Sequence, residues 1–519
     1  MINRDMFRLR SFVAALAAAG ELERVGEQVD LIDVAARLDG NPRAVLFSQV
    51  GPEGAELVGN VMGSRKRLAL ALGVAENEVV AEVLNRVAAP VAPLEVPAAD
   101  APVQEVTHLG DDLDLTTLPV HLQHSVDGAP FISASLDFSA KQAPGTFNVG
   151  CRRLMLLGPR ETGIDLNAPS DLRVRFEATR AEGARLPIAF AVGSHPLDYL
   201  AATMHSGPDD ELATLGGLRG QPLPVVAAVS QPGLLVPADA EFVIEGYLDG
   251  AETLQPEGPY GEYLGYAGEP KLNPVFHVTA LTRRHDALFQ TATISGRHLS
   301  GTDTAQLVAL ATEVDVWEAL RGAVSQPVAV HAPPAAGGMH NVRVSLRQRY
   351  PGEARNAIAA AFACKADVKN VFVVDDDIDV MSDNQLEWAL ATRFRPAEDI
   401  VVSSGLRAVP IDPSLNGQRT GGKAGFDLTR PFGEGEARRW QTAQPPTAAT
   451  GQEARAGSVL DALHGGPLSF LDLVNASGSR DGREIARELG LARSAGHVLL
   501  NEDGLYVRAL RAGDTRRGG

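Results

Sequence analysis

LQPEGPYGEYLGYAGEP, residues 254–270, carries two glutamates, Glu257 and Glu262, on either side of the turn-forming tetrad Gly258-Pro259-Tyr260-Gly261. Pro259 suits the second position of a four-residue turn and Gly261 the fourth, so the tetrad predicts a tight reversal with the two acids facing across its base. Side chains paired in that way lie about 5 Å apart at Cβ. Two carboxylates at such range do not both ionise cheaply, and unless a cation intervenes one of them keeps its proton towards neutral pH. A carboxyl in that state is a general acid. A surface hairpin with two solvated glutamates has the same spacing, so the reading depends on what the rest of the chain brings to it.

Around this stretch, over residues 106–302, runs such as FISASLDFS, RRLMLLG, PIAFAVG, EFVIEGYL and PVFHVTALTRR alternate or are wholly apolar. With frequent turns between them they predict a β-barrel or sandwich core. One helix, PLDYLAATM, interrupts it. Residues 1–105 predict an N-terminal α+β unit closed by the proline-broken AAPVAPLEVPAADAP. Helical periodicity over 303–323 predicts a linking helix, and alternating strand and helix signals over 324–430 an α/β domain. Residues 431–455, rich in Gly, Pro, Gln and Thr, read as a linker, and 456–519 as a small C-terminal module of helices and a hairpin at Asp503-Gly504. Its mixed charges favour a packing or assembly role over a winged-helix DNA binder. The fold class is α+β and multidomain.

Apolar residues make up 45% of the 519 and charged ones 22%, an ordinary globular composition. A formal charge of −18 opposes phosphate backbones and anionic lipid, so neither nucleic acid nor membrane is an expected partner. Two cysteines, Cys151 and Cys364, make no disulfide framework and suit a reducing compartment. FRLRSFVAALAAAG has the early arginines and apolar run of a signal peptide, but Phe7, Leu9, Phe12, Val13 and Leu16 recur at helical spacing and predict an amphipathic helix. No run reaches the ~18 apolar residues of a membrane span. The expected address is cytoplasmic.

Three pieces of the chain together resemble the UbiD family of decarboxylases, which use prenylated flavin mononucleotide (prenylated FMN). NVGCRRLML matches the family's Asn, four residues, Arg; EGPYGEYLGY matches its Glu-Gly-Pro-aromatic-Gly-acid signature; and TGGKAGFDLT matches its late Lys segment. FVVDDDIDV is also similar to the family, and the likeness spans about residues 5–430. The resemblance implies that 106–302 is a flavin-binding split β-barrel and 324–430 an oligomerisation domain. Arg153, Glu257 and Glu262 then stand as a Glu-Arg-Glu catalytic network in which Glu262 protonates the carbon that has lost CO₂.

The resemblance also implies a metal site of Asn148, Asp171 and Glu211 that holds the flavin phosphate through Mn²⁺ or Mg²⁺, with K⁺ a further candidate ion. The family usually supplies a histidine where Asp171 stands. The resulting all-oxygen set suits a hard divalent ion rather than zinc. Asp171 has a second reading as a helix N-terminal carboxylate. Gly150, Cys151, Arg152 and Ser170 are implied cofactor-binding positions with Arg153. Thr203 and Met204 match a segment that lines the flavin, although helical spacing also suits Met204 to a core.

Lys423 is implied to meet the flavin phosphate, its other reading being an exposed loop lysine. Gly417, Gly422 and Lys423 also fit G-x-x-x-x-G-K, but Ala424 replaces the hydroxyl a P-loop needs and IDPSLN is a poor strand. Asp375–Asp379 follow the apolar NVFVV and read as a strand end rather than a metal cluster, and His195 reads as structural.

The implied reaction is reversible, non-oxidative decarboxylation of an aromatic, heteroaromatic or α,β-unsaturated acid. Loss of CO₂ from an sp² carbon leaves an in-plane carbanion that the π system does not delocalise, and no side chain offers the electron sink. The implied partners are a small carboxylate substrate, a flavin prenyltransferase as cofactor supplier, and further copies of the chain in a homodimer or higher homo-oligomer. Two other classes stay open: an FMN-dependent oxidoreductase, and a non-catalytic flavin- and metal-binding assembly protein.

Overall fold

Six antiparallel strands close on themselves in the order Phe242–Asp249, Arg185–Val192, Phe131–Ala140, Phe147–Gly158, Glu161–Ile164 and Val275–Arg283, the last pairing back with the first. Val106–Leu109 adds to the outer edge of Val275–Arg283. Neighbouring residues of one strand serve two cores, which explains the apolar runs. Ile188, Phe190 and Val192 join one buried cluster with Ile132, Leu154 and Phe276, whereas Ala189 and Ala191 join another with Leu136, Phe138 and Val243. A strand covered on both faces has no polar side to alternate with.

The computed structural model describes residues 2–141, 145–204, 210–433, 438–447 and 456–509. It divides into two compact units, Met1–Phe432 and Gly433–Gly519. In the first, the helix Leu9–Ala18 is amphipathic as its spacing predicts, burying Leu9, Phe12, Val13 and Leu16 in the same core as the barrel's Ala134, Leu136 and Phe138. The sheet Leu22–Val29, Ala44–Val50, Ala55–Gly59 takes its fourth strand, Phe289–Gln290, from the segment leaving the barrel.

The helix Asp303–Arg321, N-capped by Thr302, leads into a five-stranded sheet. That sheet runs Pro327–His331, Asn341–Leu346, Asn370–Asp375, Thr420–Asp427, Ile400–Arg407, with its three middle strands parallel and helices Glu353–Cys364 and Asp383–Arg393 in the connections. No helix among the described residues is long and apolar enough to cross a membrane.

The second unit has its own core of Val459, Leu463, Leu473, Ile485, Leu489, Ala492 and Val498. Ser469 and Asp472 form a capping box for Phe470–Ser477, the helix Arg483–Ser494 follows, and Val498–Leu500 pairs with Tyr506–Arg508 around the Asp503-Gly504 turn. The expected linker, 431–455, lies outside the described residues over 434–437 and 448–455.

Candidate active site

The quoted stretch forms two nested hairpins, a correction to the single reversal its tetrad predicts. The outer ladder pairs Gln255–Glu257 with Lys271–Asn273, placing Glu257 opposite Lys271. Inside it Gly261 bridges Ala267, Glu262 N–H donates to Tyr266 O at 2.8 Å, and Gly268 N–H donates to Tyr260 O at 2.8 Å. The chain turns at Gly265, φ +86°, a conformation that glycine adopts without steric cost. The Gly258–Pro259 peptide is cis. Each acid occupies room left by a missing methyl: a Cβ at Gly163 would lie 2.9 Å from Glu257 Cγ, and one at Gly268 2.7 Å from Glu262 Oε1.

Arg153, from the barrel strand Phe147–Gly158, joins the two hairpins. Its Nε and Nη2 donate to the Glu257 carboxylate at 2.9 and 3.2 Å, and its Nη1 lies 3.2 Å from Asp165 and 3.6 Å from Glu262. The guanidinium sits 4.6 Å from the centre of the Tyr260 ring and 5.9 Å from that of Phe131. Asn273 Nδ2 donates to Glu257 at 3.2 Å, and Lys271 Nζ donates to Glu262 Oε1 at 3.0 Å. Two cations thus intervene among three carboxylates, where the spacing alone predicts an unrelieved pair.

Burial would lower the Arg153 pKa, yet Asp165, Glu257 and Glu262 outweigh it and hold the guanidinium well above its ordinary range. Burial would raise that of Asp165, but Arg153, Lys271 and the Asn167 donors bring it below the usual carboxylate value. Tyr260 is held protonated by burial and donates to Gln123 Oε1 at 3.0 Å. Gln123 in turn lines a cavity of about 330 Å³ with His121, His124, Ile294, Ser295 and His298. That volume is enough for a ring-sized ligand beside the hairpin.

The expected cofactor positions gather around buried Asp137. Asn148 Nδ2 donates to Asp137 at 3.3 Å, Arg152 Nε lies 3.0 Å from it, and a Cβ on Gly150 would fall 2.7 Å from its Oδ1. Arg152 Nη2 donates to Ser170 Oγ at 3.1 Å, and Ser170 caps the helix Asp171–Glu182. Asp171 is thus both a helix N-terminal carboxylate and close enough to Glu211 to oppose its ionisation, which burial already disfavours. Glu211 accepts from Val149 N–H and holds Lys141 Nζ at 3.0 Å.

Asn148 spends an amide N–H on Asp137, leaving its carbonyl oxygen for a cation, so this oxygen donor set fits a hard divalent ion. Among the described residues no three His, Cys, Asp or Glu side chains cluster as metal ligands, the third donor here being an amide. The guanidinium of Arg152, between Asp137 and Ser170, suits an anionic flavin phosphate.

Other expected residues make contacts of their own. Thr203 Oγ1 donates to Leu200 O within its own helix, and Met204 is buried in the main core. Cys151 is exposed, its thiol 3.8 Å from Tyr199 O. Lys423 corrects the loop reading: it is buried in the strand Thr420–Asp427 and donates to Phe362 O and Lys365 O, closing the helix Glu353–Cys364. Asp375 and Asp377 are taken up by Arg393 and Arg430. His195 is structural, capping the helix Pro196–Thr203 between the rings of Phe7 and Phe12.

Sequence reasoning missed Lys271, Asp165, Asn273 and Lys141. Lys271 carried a signal, since an acid and a base on opposite arms of one hairpin form a stabilising pair. Asp165 and Lys141 gave none, because their partners are distant in sequence.

Three family profiles match the chain: the 3-octaprenyl-4-hydroxybenzoate carboxy-lyase N-terminal domain over residues 13–87, its Rift-related domain over 94–298 and its C-terminal domain over 305–428. The structure of the UbiD-class enzyme HmfF from Pelotomaculum thermopropionicum with FMN is similar, with a TM-score of 0.79 and 31% identity, covering 84% of this chain and 97% of that one. An evolved dimeric form of HmfF with prFMN aligns at 0.76 and 30% identity over 85% and 97%. Apo 3,4-dihydroxybenzoic acid decarboxylase (AroY) from Klebsiella pneumoniae aligns at 0.77 and 27% identity over 86% and 98%. Anhydromevalonate phosphate decarboxylase of Methanosarcina mazei is 29% identical over 422 residues, 81% of this chain and 96% of that protein.

Proposed function

Because the chain belongs to the UbiD family of carboxy-lyases, we propose that it is a reversible, non-oxidative decarboxylase of an aromatic, heteroaromatic or α,β-unsaturated carboxylic acid, dependent on prenylated FMN. The observation that carries this reading is Arg153 held between Glu257 and Glu262 at 2.9 and 3.6 Å. Asn148, Asp171 and Glu211 would hold the phosphate through Mn²⁺ or Mg²⁺, with Arg152 beside it. When bound, the cofactor supplies the electron sink that the departing CO₂ requires.

The chain's own residues handle charge and proton. Arg153 Nη1, shared between Asp165 and Glu262, is the donor that turns to the substrate carboxylate. Three carboxylates against two cations leave the network at −1, and a substrate anion takes it to −2. A proton on Glu262 offsets that increase, so the anionic substrate and the protonated acid enter the cycle together. Glu262 then delivers its proton to the carbon released from CO₂. The buried, bidentate Glu257 keeps Arg153 aimed throughout. A flavin prenyltransferase would supply the cofactor, and copies of the chain would associate.

The test is protein made together with a flavin prenyltransferase, mass spectrometry of its released cofactor, and a screen of aryl and heteroaryl acids for CO₂ release or deuterium uptake. Glu262→Gln is expected to keep the cofactor and lose turnover by about 10²–10⁴-fold. Unchanged turnover in that variant removes the acid role. A flavin-loaded protein that releases CO₂ from no acid removes the reaction.

A further inference from the structure

Each decarboxylation replaces a carboxylate by a C–H bond, so every turnover draws one proton from solvent. Glu262, 7% exposed, reaches water poorly by itself. Two side-chain cations adjoin it, Arg153 Nη1 at 3.6 Å and Lys271 Nζ at 3.0 Å. A guanidinium does not release a proton in proteins, and Arg153 is only 10% exposed. Glu257, the other acid of the network, is 1% exposed and satisfied by Arg153 and Asn273. Lys271 is 28% exposed, so it meets both Glu262 and solvent. It lies opposite Glu257 in the hairpin ladder yet reaches Glu262, with Asp165 3.8 Å behind its ammonium.

Building on the decarboxylase reading, we propose that Lys271 is the proton relay that recharges Glu262 from solvent. After Glu262 has protonated carbon, a Lys271 Nζ–H bond breaks, its electron pair stays on nitrogen, and the proton forms the O–H of Glu262. The neutral amine then takes a proton from water at the surface, and Asp165 steadies the regenerated ammonium. In the reverse direction the same atoms carry a proton outwards. A purely structural ion pair at this place would need only a positive charge of suitable length, which an arginine also supplies.

That difference defines the experiment. The holoenzyme and its Lys271→Met and Lys271→Arg variants are compared for CO₂ release and for solvent deuterium in the product, with flavin content read from absorbance. Both variants are expected to keep their flavin and to lose turnover by about 10²-fold. Methylammonium is expected to restore Lys271→Met in proportion to its concentration. Wild-type turnover in Lys271→Arg overturns the relay and leaves a holding role, and no rescue of Lys271→Met overturns the relay outright. Failure of the decarboxylase reading shows in a different place, as absence of CO₂ release from the wild-type holoenzyme, and takes the relay with it.

Discussion

Two of the clusters that join several carboxylates to arginines are built in opposite ways. In the α/β domain, Asp375 and Asp377 are clasped by Arg393, 1% exposed, and by Arg430, with Gln348 and the Arg430 backbone N–H filling what remains. All of it comes from the C-terminal ends of neighbouring strands in one sheet and the segments after them. In the barrel, Arg153, Asp165, Glu257, Glu262 and Lys271 come from two barrel strands' neighbourhoods and two nested hairpins, and the guanidinium lies over aromatic rings. The first cluster saturates its acceptors and locks a strand end. The second leaves a lysine between an acid and water, and one donor shared at 3.2 and 3.6 Å between two acceptors. Surplus, unevenly shared hydrogen-bonding capacity sets the proposed site apart from a cluster whose acceptors are filled.

The contrast can be broken by removing one arginine from each. Arg153→Met is expected to lower turnover by about 10³-fold or more, measured per flavin-loaded molecule. Arg393→Met strands buried charge and should cost about 3 kcal/mol in urea unfolding, while turnover per folded molecule stays at the wild-type level. Loss of turnover in both variants would dissolve the distinction.

A smaller effect sharpens it through pH. The folded-state pKa of Asp165 lies below its ordinary value, so its contribution is fully present above about 3.9 and is lost as pH falls through the folded-state value. Asp165→Asn should therefore cost about 1.5 kcal/mol at pH 6 and flatten the acid limb of the urea midpoint below about pH 4. The smallest expected change is Ser170→Ala, about 1 kcal/mol from the lost cap, read as a thermal shift accompanied by weaker FMN binding because Arg152 loses a partner.

The barrel was legible from short apolar or alternating runs between turns, and Glu257 and Glu262 from the tetrad between them, whereas Arg153, 104 residues before Glu257, was implied only by the resemblance to a family. The turn was not legible, since its shape is set by Gly265 and by pairing with Lys271–Asn273 beyond the tetrad. Asp165 lies outside any pattern tied to the hairpin, so only the folded register brings it to Arg153. Lys423 misled for a packing reason. Its glycine-rich surroundings form a central strand against a helix, where a Cβ on Gly425 would fall 2.3 Å from Ile358 Cγ2, and the lysine serves the helix end rather than an anion.

The gaps at Gly163 and Gly268 make acid placement adjustable through uncharged neighbours. The Glu257 side chain at its Cγ and the Glu262 carboxylate each fill a hollow the width of one methyl group, so an alanine at either position would shift an acid of the Arg153 network without altering any ionisable group. Divergence in substrate preference among such enzymes could therefore proceed through residues that carry no chemistry at all, a route to new selectivity invisible to anyone comparing only charged side chains.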